Sequence, residues 1–99
     1  MKNKAGAALS TACRELHDTV HAIGDYDHVV ARVQRGHILI YAGDDEPVAR
    51  ITAIGNAQYG LSFRTHSAHW EPMPVSGDIS EIARTMVDTL RPYLAKDPF

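Results

Sequence analysis

The pattern of apolar and polar positions predicts an amphipathic helix near the start of the chain. Between about residues 7 and 23, one helical arc collects the apolar residues Leu9, Ala12, Cys13, Leu16, Val20 and Ile23. Gly24 follows this stripe directly and supplies a stop, because glycine readily adopts the left-handed conformation that ends a helix. We therefore expect a helix that buries this arc against another element.

A second amphipathic stripe predicts another helix over about residues 79 to 91. It is preceded by Asp78 and Glu81, whose spacing of three residues is typical of a capping box. Pro92 has no backbone N–H and should end or kink the helix near Arg91.

Between the two helices, five short runs rich in strand-forming residues predict a sheet. Turn-like segments separate these runs, which span about residues 28–34, 37–42, 48–54, 59–66 and 69–73. The order of elements favours a two-layer α+β fold, in which an antiparallel meander sheet carries both helices on one face. We expect residues 1–99 to form a single domain.

The turns predict how the first three strands pair, because residues opposite each other in a sheet share a face. A two-residue turn closes the first hairpin at Gln34 and His37. A four-residue turn after Gly43 places Arg50 opposite Tyr41. An arginine next to a tyrosine can stack its guanidinium group on the ring.

The last hairpin is expected to close at His66 and His69, which gives Trp70 the face towards the helices. The same register places Arg64 opposite Glu71 on the other face. The face towards the helices then holds Val29, Ala31, Val33, Ile38, Ile40, Ala42, Ala49, Ile51, Ala53, Tyr59, Leu61, Phe63 and Trp70. The opposite face holds Val30, Arg32, Leu39, Tyr41, Val48, Arg50, Thr52, Ile54, Arg64, His66, His69, Glu71 and Met73.

Composition and charge narrow the function classes. The formal net charge is −2 and no segment concentrates Lys or Arg, so we do not expect nucleic-acid binding. No apolar run approaches the ~18 residues of a membrane span. The lone Cys13 suits a reducing compartment, so we expect a cytoplasmic protein in which this thiol is buried and inert.

The histidines and acidic residues predict no metal or cofactor. His17 and His21 lie on the first helix, whereas His66 and His69 are assigned to the sheet face away from it, so the four cannot meet at one ion. Asp45 belongs to an acidic turn that is typical of a solvated loop. This turn and the last hairpin nevertheless emerge at the same end of the sheet.

The face turned away from the helices is the predicted functional surface. It is too apolar for a surface that meets only water, and its predicted partner-binding residues are Leu39, Tyr41, Arg50, Arg64 and Glu71. We expect a non-catalytic binding protein that forms a homodimer through this face. A solvated sheet with scattered aliphatic residues is the simpler interpretation.

The alternative function is a small enzyme or ligand-binding protein, with a cluster of Asp45, His66 and His69 at the Asp44/His66 end of the sheet. No sequence motif identifies its ligand or substrate, and none specifies a catalytic residue.

Overall fold

The computed structural model describes residues 4–43, 45–65, 67 and 69–94, with side chains from residue 8 onwards. Its elements in chain order are α1 (Lys4–Ile23), β1 (Val30–Gln34), β2 (His37–Tyr41), β3 (Ala49–Gly55), β4 (Gln58–Arg64), β5 (Trp70–Gly77), α2 (Ile79–Thr89) and α3 (Arg91–Leu94).

The fold is the predicted two-layer α+β arrangement. The five strands form one antiparallel sheet in the order β1-β2-β3-β4-β5. Helix α1 packs on β1 and β2, α2 packs on β4 and β5, and the two helices pack against each other. None of the described helices combines the length and the apolar character that crossing a membrane requires.

The core lies between the helices and one face of the sheet. The isoleucines Ile38, Ile40 and Ile51 are fully buried there, as are Leu16 of α1 and Met86 of α2. Each such aliphatic side chain contributes roughly 1.5 to 3 kcal/mol when it leaves water.

Three residues predicted for the core are exposed instead. They lie at or near the ends of their elements and are Ile23, Val33 and Ala53.

The first two hairpins differ in how closely they follow the predicted register. Gln34 faces His37 across the first turn, as predicted, and the positive φ angles of Arg35 (51°) and Gly36 (80°) fit a type I′ turn. The β2–β3 pairing is shifted by two residues, so Arg50 faces Leu39 rather than Tyr41. A shift of two leaves every paired side chain on its predicted face, because strand side chains alternate with a period of two.

The predicted register of the last hairpin is wrong by one residue. The backbone N–H of Thr65 donates to the carbonyl oxygen of His69 (N···O 2.9 Å), and Arg64 pairs with Trp70. A one-residue slip moves each side chain of β5 to the opposite face. Trp70 therefore lies on the side of the sheet away from the helices, while Glu71 faces Phe63 and leaves that side.

The rest of β5 explains why this register is stable. Between the pairs Ser62–Pro72 and Gly60–Ser76, β5 carries three residues against one of β4, which is a bulge. Pro74 lies in the bulge, where the missing N–H breaks no ladder bond. The residues on either side of it, Met73 and Val75, pack against the core, although Met73 was predicted for the opposite face. Val48, also predicted there, packs against the core just before β3 begins.

Helix α2 begins with the predicted capping box. The side chain of Asp78 accepts a hydrogen bond from the backbone N–H of Glu81 (2.8 Å), and the carboxylate of Glu81 accepts one from the N–H of Asp78 (2.9 Å). At the other end, α2 stops at Thr89, and Pro92 falls within the short helix α3. The break predicted near Arg91 is thus present.

We predict that Asp78→Ala lowers the free energy of unfolding by ~0.5 to 2 kcal/mol, because it leaves N–H groups at the start of α2 without a partner. Urea denaturation followed by circular dichroism measures this loss. Asp88→Ala, an exposed acidic residue of the same helix, is the matched control and should have little effect. Equal effects of the two substitutions would contradict the role of the cap.

Candidate functional site

The candidate site is the face of the sheet that no described element covers. We call it the uncovered face; its residues are Val30, Arg32, Leu39, Tyr41, Arg50, Thr52, Ile54, Arg64 and Trp70. They come from all five strands and are brought together by the pairing of the meander. The face combines aliphatic, aromatic and arginine side chains in one continuous surface.

Three residues on β3, β4 and β5 form an arginine–tryptophan cluster. The guanidinium carbon of Arg50 lies 4.8 Å from the centre of the Trp70 ring, and that of Arg64 lies 5.9 Å from it. Both distances are within the range in which a cation is attracted to an aromatic ring. Such contacts are worth ~0.5 to 1 kcal/mol at exposed sites and more where water is excluded. The ring thus holds two guanidinium groups in place.

The two arginines differ in their hydrogen-bond partners. Arg64 pairs with Glu46, at 3.0 Å between Nη2 and Oε1. Among the described residues, no carboxylate lies within ion-pair distance of Arg50. Its Nε is shielded from solvent and has no hydrogen-bond partner there. A buried N–H donor without an acceptor costs free energy. On this face, the guanidinium group of Arg50 is the one with such an unpaired donor among the described residues.

The cluster borders an open depression of about 350 Å³. Its lining includes the apolar side chains of Leu39 and Pro47, and the full lining is Gln34, Arg35, His37, Leu39, Pro47, Arg50, Arg64 and Trp70. The imidazole of His37 is held by Thr52, with Nδ1 2.9 Å from Oγ1. The lining of the depression therefore combines cationic and apolar side chains.

The other half of the face, on β1 and β2, has a different character. The guanidinium group of Arg32 lies over the Tyr41 ring, 5.4 Å from its centre. Arg32, Tyr41 and Val30 line a second depression of about 300 Å³ together with the exposed Asp45. This half therefore carries both signs of charge.

Four of the five predicted partner-binding residues, Leu39, Tyr41, Arg50 and Arg64, lie on the uncovered face. Glu71 does not, since the corrected register pairs it with Phe63 on the helix side of the sheet. Trp70 takes its place and was missed because the hairpin closure was assigned one residue too late. The abundance of arginines predicted for this face was a signal that an aromatic partner would suit it.

The predicted ligand cluster is only partly within the described residues. Asp44 and His66 lie outside them. Asp45 lines the depression beside Arg32, whereas the backbone N–H of His69 donates to Thr65 Oγ1 (3.2 Å). No hydrogen bond or ion pair between described side chains joins Asp45 to His69. The cluster stays a prediction.

His21, His28 and Cys13 have structural roles. The ring N–H of His21 donates to the carbonyl of Val29 (2.9 Å), and that of His28 donates to the carbonyl of Leu94 (2.6 Å). Cys13 is half-buried, and burial raises the pKa of its thiol, which keeps it protonated and weakly nucleophilic.

Two further observations bear on ligand chemistry. Within the described part of the chain, no three metal-ligating side chains lie close enough together to hold an ion. A depression of about 530 Å³ lies on the outer side of the helices, and its lining includes both Arg14 and Arg84 and the acidic residues Glu15 and Asp18. These mixed charges favour no single ligand.

Comparison with protein-family models, curated proteins and solved structures found no match to this chain.

We predict that iodide quenches the fluorescence of Trp70, the single tryptophan of the chain, more strongly than caesium does. The two guanidinium groups beside the ring attract anions and repel cations. Arg50→Gln should reduce iodide quenching while leaving quenching by neutral acrylamide nearly unchanged. Arg84→Gln, on the exposed side of α2, is the matched control. Stronger quenching by caesium would contradict this placement of Trp70.

Proposed function

We propose that this chain is a small, non-catalytic, cytoplasmic binding protein that uses the uncovered face to bind another protein chain. The observation that carries the proposal is the side-chain content of that face. Val30 and Ile54 remain 39% and 61% exposed, beside half-buried Leu39, Tyr41 and Trp70. Aliphatic and aromatic groups among arginines are the composition that protein interfaces favour. The cytoplasmic assignment rests on the single cysteine.

A second copy of the chain is the occupant we propose for the β1–β2 half of the face. Most soluble oligomers are symmetric, and a two-fold axis brings identical patches together. A patch can face its own copy only if like charges do not meet unopposed. The β1–β2 half meets this condition, because Arg32 and Asp45 line the same depression. Val30 and Tyr41 supply apolar area to the same contact.

We predict that the protein is dimeric at micromolar concentration and that Val30→Asp or Tyr41→Glu weakens the dimer at least about tenfold, because each places a carboxylate in a buried contact. Light scattering measures the mass, and circular dichroism confirms that the fold is retained.

Two matched controls separate this effect from a general effect of added charge. Ile23→Asp and Tyr93→Glu add the same charge at exposed apolar or aromatic residues away from the face and should leave the dimer intact. A monomer across the concentration range would remove the second copy from the proposal. A dimer that tolerates both face substitutions would show that the copies meet elsewhere.

A further inference from the structure

The arginine–tryptophan cluster lies in the other half of the uncovered face and calls for a different occupant. Arg64 and Trp70 are opposite each other on β4 and β5, and Arg50 reaches the same ring from β3. Three neighbouring strands therefore fix the positions of the two guanidinium groups. A cation that is held in advance loses less conformational freedom when it binds an anion.

The bonding of the two arginines indicates the chemical group that fits. Arg64 already binds a carboxylate of the chain itself, that of Glu46, whose side chain is 71% exposed. Arg50 has no such partner among the described residues; its Nε is shielded from solvent, so the terminal nitrogens are the donors that remain for a ligand. The two terminal nitrogens of a guanidinium group can donate together to the two oxygens of a carboxylate. The cluster thus presents one arginine that is paired with a carboxylate and one that is not.

The surroundings of the cluster distinguish among partners that carry negative charge. Single-stranded nucleic acids bind through bases that stack on free aromatic faces. Here the Trp70 ring is already in contact with two guanidinium groups. A second copy of the chain would bring arginine against arginine, which is repulsive. The apolar side chains of Leu39 and Pro47 in the lining instead suit aliphatic side chains next to carboxylates.

We infer that the arginine–tryptophan cluster binds an acidic segment of another protein, in which glutamate or aspartate residues alternate with aliphatic residues. This inference rests on the proposed function, since it names the occupant of the β3–β5 half of the same face. Carboxylates of the segment contact Arg50 and compete with Glu46 for Arg64, while its aliphatic side chains cover Leu39 and Pro47.

The test is a titration with a capped peptide of alternating glutamate and leucine, followed by Trp70 fluorescence and by calorimetry. We expect saturable binding that weakens as salt is added, because the contacts are ionic. Arg50→Gln should weaken it about tenfold, the change that corresponds to ~1.4 kcal/mol. Arg50→Lys keeps the charge but not the planar donor pair, and should give an intermediate affinity.

Two controls make the result specific. The same peptide with glutamine in place of glutamate should not bind, and Arg84→Gln should bind the acidic peptide as the unchanged protein does. The inference is overturned if the acidic peptide fails to bind, if the glutamine peptide binds equally well, or if an oligothymidylate binds more tightly than the acidic peptide.

The outcomes also separate this inference from the proposed dimer. If Tyr41→Glu dissociates a dimer but the acidic peptide does not bind, the inference fails and self-association stands. If the peptide binds through Arg50 while the protein is monomeric, self-association fails and the inference stands.

Discussion

The backbone pairing of Thr65 with His69 determines on which side of the sheet each residue of β5 lies. Side chains alternate along a strand, so this single closure places Trp70 on the same face as Arg64. It also allows Met73 and Val75 to pack towards the helices around the bulge. The content of both faces therefore depends on one hairpin: the core gains two aliphatic groups, and the uncovered face gains its largest aromatic ring.

The helices account for the contrast between the two faces. Each helix has one apolar stripe, and both stripes pack on the face that carries Ile38, Ile40 and Ile51. The described helices leave the opposite face uncovered. Arg50 nevertheless lies on a strand paired on both sides, and its guanidinium group lies near the Trp70 ring, so its position depends on the sheet rather than on a loop. Fixed positions are what a binding surface needs, because less side-chain freedom is lost when a partner arrives.

The sequence predicts those features that depend on periodicity or on local hydrogen bonds. The α1 stripe, the Asp78–Glu81 cap and the turn between Gln34 and His37 are of this kind. It does not fix the β2–β3 register, because pairing Ile51 with Ile38 or with Ile40 leaves the same residues on each face. The placement of Trp70 depends on whether Thr65 or His66 closes the last hairpin opposite His69. Closure at Thr65 lets Met73 and Val75 pack against the core, and this tertiary packing is not visible in the local sequence. The sequence predicts the arginines and Tyr41 on the uncovered face but not Trp70, so Arg50 lies over Trp70 rather than over Tyr41.

The central claim is that Trp70 lies beside Arg50 and Arg64 on the uncovered face. Nuclear Overhauser effects from the indole protons of Trp70 test this placement most directly. They detect protons within ~5 Å of each other, and a cation in contact with an aromatic ring lies at a comparable distance from it. The account predicts cross-peaks to the side-chain methylene protons of Arg50 and Arg64. Cross-peaks from the indole to core methyl groups of Leu61 or Ile82 would contradict it, because they would place the ring between the sheet and the helices.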